Sequence, residues 1–231
     1  GSFVDNATTA EAVAMGISGG DGHDRMTNSE GADVMLTGRA EVTDTAVSVG
    51  LAGMAGADSQ ALAVVQASGM DGGDGNDTLV NSGSITGTDV TAASTARGIS
   101  FAIAGAALSS ANATAEASAV GIAGGQGNDR ITNNGLITLG PQATTSGQTV
   151  GVSAIGAAIN DANATSYATA TGLDGGRDRD TIINNSAIDA TATSIAIAQR
   201  TGVVIGGYIL NQGNSTAHAE AIGMDGGEED D

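Results

Sequence analysis

Gly69-Met70-Asp71-Gly72-Gly73-Asp74-Gly75-Asn76-Asp77-Thr78-Leu79-Val80-Asn81 decides how this chain is read, because the chain returns to it. An earlier copy runs from Gly16 to Asn28 and a later one from Gly121 to Asn133; a fourth opens at Gly172 and a truncated fifth at Gly223. The opening glycines are 53, 52, 51 and 51 residues apart, a period that belongs to solenoids, propellers and arrays. Residues 1–231 are therefore read as one repeat-array domain of about four and a half repeats. Gly1-Ser2 looks like a remnant of expression, and the chain stops inside a repeat, so an excerpt of a longer protein is expected.

Outward from the Gly-Asp stretch, each repeat continues into a short strand. Met26, Leu79, Ile131 and Ile182 occupy one phase, and Asn28, Asn81, Asn133 and Asn184 lie two residues on, on the same face. In register, these asparagines would form a ladder of amides bonded copy to copy, a structural role. A polar segment of changing length follows (37–44, 86–93, 138–147), which suggests a surface loop and holds the single proline, Pro141. Next comes a long Ala/Gly strand, and then one in which alanine recurs at alternate positions: Ala10, Ala12, Ala14; Ala115, Ala117, Ala119; Ala217, Ala219, Ala221. Val65 interrupts this pattern in the second repeat. One face of that strand is uniform and small, so it packs inward where only methyl groups fit. Asn112 and Asn163 lie at the start of this strand, where runs such as Asn160-Asp161-Ala162 suggest turns.

Glycine at 37 positions, only 2% aromatic residues and no Trp disfavour helix and large globular cores. The expectation is an all-β, parallel β-solenoid, β-helix or β-roll in type. The pattern leaves open one wide coil per repeat or two narrow ones; one is favoured because identical loops then stack about 4.8 Å apart.

The net charge of −19 argues against nucleic acid and anionic membranes, and no run of about 18 apolar residues crosses a bilayer as a helix. With no Cys and two distant histidines, His23 and His218, zinc and copper sites are disfavoured. Of the 26 acids, 14 lie in the Gly-rich stretches. Like charges stacked about 5 Å apart repel by roughly 0.8 kcal/mol in bulk water and by more where solvent is excluded. A column of Asp24, Asp77, Asp129, Asp180 and Asp231 therefore asks for a cation, and calcium accepts flexible sets of six to eight carboxylate and carbonyl oxygens. The candidate ligands are Asp21, Asp24, Asp71, Asp74, Asp77, Asp129, Asp174, Asp178, Asp180, Asp225, Asp230 and Asp231, with carbonyls at Gly20, Gly22, Gly73, Gly75, Gly125 and Gly127.

The runs Gly-Gly-Asp-Gly-His-Asp-Arg-Met, Gly-Gly-Asp-Gly-Asn-Asp-Thr-Leu and Gly-Gly-Gln-Gly-Asn-Asp-Arg-Ile resemble the Gly-Gly-x-Gly-x-Asp-x-(large apolar)-x nonapeptide of the repeats-in-toxin, or haemolysin-type, calcium-binding proteins. The resemblance implies a secreted or surface bacterial protein that folds on extracellular calcium, with Asp24, Asp77 and Asp129 at the metal-binding aspartate. Two departures stand out. One motif occurs per repeat rather than in tandem, and the fourth and fifth loops put Asp178 and Glu229 where the third glycine would be.

No convergent set of catalytic groups occurs, so no enzyme is expected. The expected function is a calcium-stabilised extracellular rod, fibre or adhesin segment able to stack head to tail into filaments. The alternative is a ligand-binding solenoid face. Thr9, Thr114, Thr165 and Thr216 share one phase as an ice-binding rank would, and Arg97, Arg130, Arg177 and Arg179 offer bases for a carbohydrate.

Overall fold

The computed structural model describes residues 1–227; the candidate ligands Asp230 and Asp231 lie outside the described residues. The described chain is all-β, without a helix. Its strands are β1 (Ser2–Asp21), β2 (Arg25–Asn28), β3 (Asp33–Ala52), β4 (Ala55–Asp74), β5 (Thr78–Asn81), β6 (Ser84–Gln126), β7 (Arg130–Asn133), β8 (Ile137–Leu139), β9 (Gln142–Arg177), β10 (Thr181–Asn184), β11 (Ile188–Ala190), β12 (Thr193–Gln212) and β13 (Ser215–Asp225). The four-residue strands form one sheet in the order β10-β7-β5-β2, and the long strands form the other together with the three-residue β8 and β11.

Pairing is parallel throughout, and each residue's neighbour is its counterpart in the next repeat. Ser2 pairs with Ala55, Ala55 with Ala107 and Ala107 with Ala158. One column thus runs Thr9, Leu62, Thr114, Thr165, Thr216, and every other position forms a column of its own. In register, the alternation of side chains survives from layer to layer, so one face of the long strands β3, β4, β6 and β9 stays buried, while the end layers β1, β12 and β13 are half-buried or exposed.

The interior tapers. Near the Gly-Asp loops, where the short strand spreads the two long ones, the core is filled by large side chains such as Leu36, Met70, Leu79, Ile85, Ile122 and Ile131. Farther along, the alanine columns meet: Ala63, Ala115 and Ala168 are buried in one cluster with Ala40, Ala92 and Ala143. Nearer the far corner even a methyl is excluded, for a Cβ on Gly98 would lie 2.3 Å from the Ser110 carbonyl oxygen. Small hydroxyls fill the narrow part: Ser100 and Ser109 share a hydrogen bond of 2.7 Å, and Ser94 donates to the Ala61 carbonyl at 2.8 Å. Val65, the exception in the alanine pattern, is accommodated by Gly38, whose absent Cβ would lie 2.6 Å from a Val65 methyl carbon.

The asparagine ladder is present. Asn28 Nδ2 donates to Asn81 Oδ1, Asn81 to Asn133 and Asn133 to Asn184, each at 2.8 Å, and the first three residues are buried. An amide carries donor and acceptor together, so identical copies satisfy one another without help from water.

Two expectations are corrected. The polar segments 37–44, 86–93 and 138–147 are not surface loops: they lie largely in β3, β6, β8 and β9, with inward Ala40 and Val42 buried beside outward polar residues. Their length difference is absorbed locally, by a register shift between Met35 and Thr37 opposite Thr86 and Asp89, and by the Gly140-Pro141 break before β9. Asn112 and Asn163 are strand residues rather than turn residues, stacked with Asn163 Nδ2 donating to Asn112 Oδ1 at 3.0 Å.

The ladder makes a test of register. Asn133→Leu leaves the buried Asn81 amide without its acceptor, a loss of about 2–3 kcal/mol, and lowers the melting temperature by about 5–10 °C at this chain length. Asn134→Ser, on the exposed neighbouring rank, changes it by less than about 2 °C. Thermal melts followed by circular dichroism check both.

Candidate metal centre

Each Gly-Asp loop turns at the end of a long strand and feeds a short one. Gly73 has φ +92°, and a Cβ there would lie 2.1 Å from the Gly20 carbonyl oxygen, so both the turn and the stacking demand glycine. Gly20, Gly125 and Gly176 share the positive φ, as do Gly22, Gly75 and Gly127 two residues on, and in every layer after the first a Cβ at these positions would strike the backbone of the layer before. In the fourth loop Asp178 takes that column's left-handed conformation at φ 73°, which an aspartate tolerates better than most residues. Its Oδ2 accepts the Gly127 N–H at 3.1 Å. The departure from the glycine pattern therefore leaves the turn intact.

The motif aspartates form a column beneath these loops. The Asp24 N–H donates to Asp77 Oδ1 at 2.6 Å, Asp77 N–H to Asp129 Oδ1 at 2.7 Å, and Asp129 N–H to Asp180 Oδ1 at 2.7 Å. One oxygen of each acceptor carboxylate is thus spent on the backbone of the preceding layer. The second oxygens of Asp24, Asp77 and Asp129 are buried without a hydrogen-bond partner. They lie against the first glycine of their own loops: a Cβ on Gly19, Gly72 or Gly124 would come within 2.7–2.9 Å of them. Burial lifts the Asp129 carboxyl from 3.8 to about 6; the Asp77 backbone hydrogen bond opposes this, and the charges of Asp180, Asp77 and Asp178 add to it.

The other candidate ligands fall into separate columns. Asp21 and Asp74 are in-register neighbours on the exposed rim, and Gln126 Nε2 donates to Asp74 Oδ1 at 2.8 Å in the next layer. Asp71 stacks between Ser18 and Ala123, away from an acidic neighbour in its own column. Asp174 and Asp225 are paired, and burial followed by the charge of Asp225 raises the Asp174 carboxyl. Among the described residues no three His, Asp or Glu side chains converge as a metal-ligand cluster. What fits a cation is the column's need for positive charge: the carboxylates of Asp24, Asp77 and Asp129, each with a buried, unpartnered Oδ2, beside glycine turns.

One ladder was not foreseen. His23 Nδ1 accepts the Asn76 N–H at 2.8 Å, Asn76 Oδ1 accepts the Asn128 N–H at 2.8 Å, and Asn128 Oδ1 accepts the Arg179 N–H at 3.1 Å. These are the positions just before the motif aspartates. The signal in the sequence was that His23, Asn76 and Asn128 are all able to accept a hydrogen bond. The threonine column is in register, yet Glu11, Val64, Glu116, Tyr167 and His218 fill a neighbouring outward column.

Comparison with protein families, curated proteins and solved structures finds no match for this chain.

A carboxyl whose folded-state value lies above its unfolded one binds its proton more tightly in the folded protein. Its stabilising effect is complete below about pH 4 and lost as pH rises through 6. Metal-free protein is therefore expected to melt higher at pH 5 than at pH 7.5, by several degrees, and Asp129→Asn to reduce that difference. Melts across pH after exhaustive chelation and dialysis check it.

Proposed function

We propose that the chain is a structural segment: a flat parallel β-solenoid of about four and a half coils, one per 51–53-residue repeat. It would serve outside the cell or on a bacterial surface as a stiff rod, fibre or adhesin element, with calcium held along its acidic edge. The observation that carries this is the aspartate column. Burying Asp77 and Asp129 next to Asp24 and Asp180, each with its Oδ1 on the neighbouring layer's backbone, concentrates like charge along one line of the stack. A cation or protons must neutralise that line, and a divalent ion available outside the cell does so at neutral pH. The loops' resemblance to haemolysin-type nonapeptides favours calcium.

Head-to-tail stacking of copies, continuing the parallel pairing of the long strands, would extend such a rod into a filament.

Circular dichroism melts after chelation, then across calcium with magnesium as control, test the ion. Calcium is expected to raise the melting temperature steeply and magnesium little. Asp129→Asn keeps an acceptor for the Asp77 N–H but removes charge, so it should raise the metal-free melting temperature and blunt the response to calcium. A wild-type protein indifferent to calcium contradicts the ion's role and leaves the rod.

A further inference from the structure

The four loops 18–25, 71–78, 123–130 and 174–181, layers one to four of the edge, share the motif aspartate but not its surroundings. The rim column reads Asp21, Asp74, Gln126 and Arg177, each the in-register neighbour of the next. It passes from acid through amide to base in steps of about 4.8 Å. The column just before the motif aspartates changes in the same direction, from His23, Asn76 and Asn128 to Arg179, whose N–H donates to Asn128 Oδ1 at 3.1 Å. Formal charge follows the two columns. Layers one and two together hold five aspartates and one arginine, a charge of −4. Layers two and three hold four aspartates and one arginine, −3, and layers three and four hold four aspartates and three arginines, −1.

We infer that arginine takes the cation's place in the fourth loop: Arg177 and Arg179 neutralise the aspartate column between layers three and four, so calcium is confined to the first and second gaps. The inference rests on the calcium reading above and assigns the ions among its sites. Each motif carboxylate reaches toward the layer before it, whose N–H its Oδ1 accepts. Asp77 therefore serves the first gap, Asp129 the second and Asp180 the third. Asp77 and Asp129 are only 2% and 3% exposed, and the Oδ2 of each is buried without a hydrogen-bond partner against the first glycine of its loop. A buried carboxylate oxygen of this kind is costly until positive charge meets it. In the first two gaps the chain supplies little such charge. In the third it supplies two guanidinium groups, which stay ionised at any working pH. A divalent ion added to −4 or −3 relieves repulsion, whereas one added to −1 reverses the sign. Oxygen supply points the same way, because calcium takes six to eight oxygens. Asp21 and Asp74 line the first gap's rim, while Gln126 and Arg177 line the third's. Asp178, the acid nearest the third gap's turn, already spends its Oδ2 on the Gly127 N–H. The stack is thus held by supplied ions at its first two joints and by its own side chains at the third.

Calcium counted by isothermal titration calorimetry and equilibrium dialysis, with circular dichroism to confirm folding, tests it. Only differences from the wild type are read, so ions held elsewhere on the chain cancel. Asp77→Asn and Asp129→Asn, which keep an acceptor for the preceding layer's N–H, are each expected to lose one ion, and Asp180→Asn none. Arg177→Asp combined with Arg179→Asn, at exposed positions away from the core, is expected to gain one ion. That variant should also melt lower than the wild type in chelator and respond more steeply to calcium, and it carries the test should an aspartate variant fail to fold. Loss of an ion in Asp180→Asn, or an unchanged count in the double arginine variant, overturns the inference and leaves the calcium reading in place. A wild type that binds no calcium overturns both.

Discussion

In-register parallel stacking means that each side chain's nearest neighbour across the sheet is its own counterpart one repeat away. A residue type therefore succeeds here according to how it tolerates itself at about 4.8 Å. Alanine and glycine do so at no cost and allow the interior to thin until Gly98 meets the Ser110 carbonyl. Asparagine does so with profit, because Asn28, Asn81, Asn133 and Asn184 each supply what the next one needs. Aspartate does not, and the column of half-buried Asp24 and buried Asp77, Asp129 and Asp180 is the place where the fold works against itself. That tension is why the loops, rather than any face of the sheets, attract a functional reading.

Much of this was legible from spacing alone. The 51–53-residue period, the alternation Ala115, Ala117, Ala119 and the recurring Asn two residues after Met26 or Leu79 report directly on columns, since register turns periodicity into contact. The segments 37–44 and 86–93 were misread because Thr, Gly and Asp resemble loop composition when the face they present is unknown. In a strand with one wet face, alternate polar residues are what the pleat requires. The corner at Gly53, Gly105, Gly156 and Gly207 was hidden for the opposite reason: an unbroken Ala/Gly/Ile run gives no polar punctuation, and only the positive φ of those glycines reveals the turn.

Within the candidate site, the spacing gives the column of aspartates but not their orientation. Spacing puts Asp24, Asp77 and Asp129 in one column; it does not say that Oδ1 of Asp77 and Asp129 is consumed by the backbone N–H of the layer before, while Oδ2 of all three turns toward the first glycine of the loop. Nor does it separate the rim pair Asp21 and Asp74 from Asp71, which stands between Ser18 and Ala123. The coil that results is polarised, with acid at the wide end and bare apolar side chains at the narrow one.

The interior, the ladders and both edges depend on the column register, and a cysteine-free chain allows it to be measured cleanly. Spin labels on Thr9→Cys and Thr216→Cys, ends of one outward column four layers apart, should give a narrow dipolar distance distribution. It should centre near 19 Å, or somewhat above once label length is added, as four steps of about 4.8 Å require. A broad distribution, or one centred beyond about 35 Å, would show that the repeats do not stack in register and would undo the account of the interior, the ladders and both edges together.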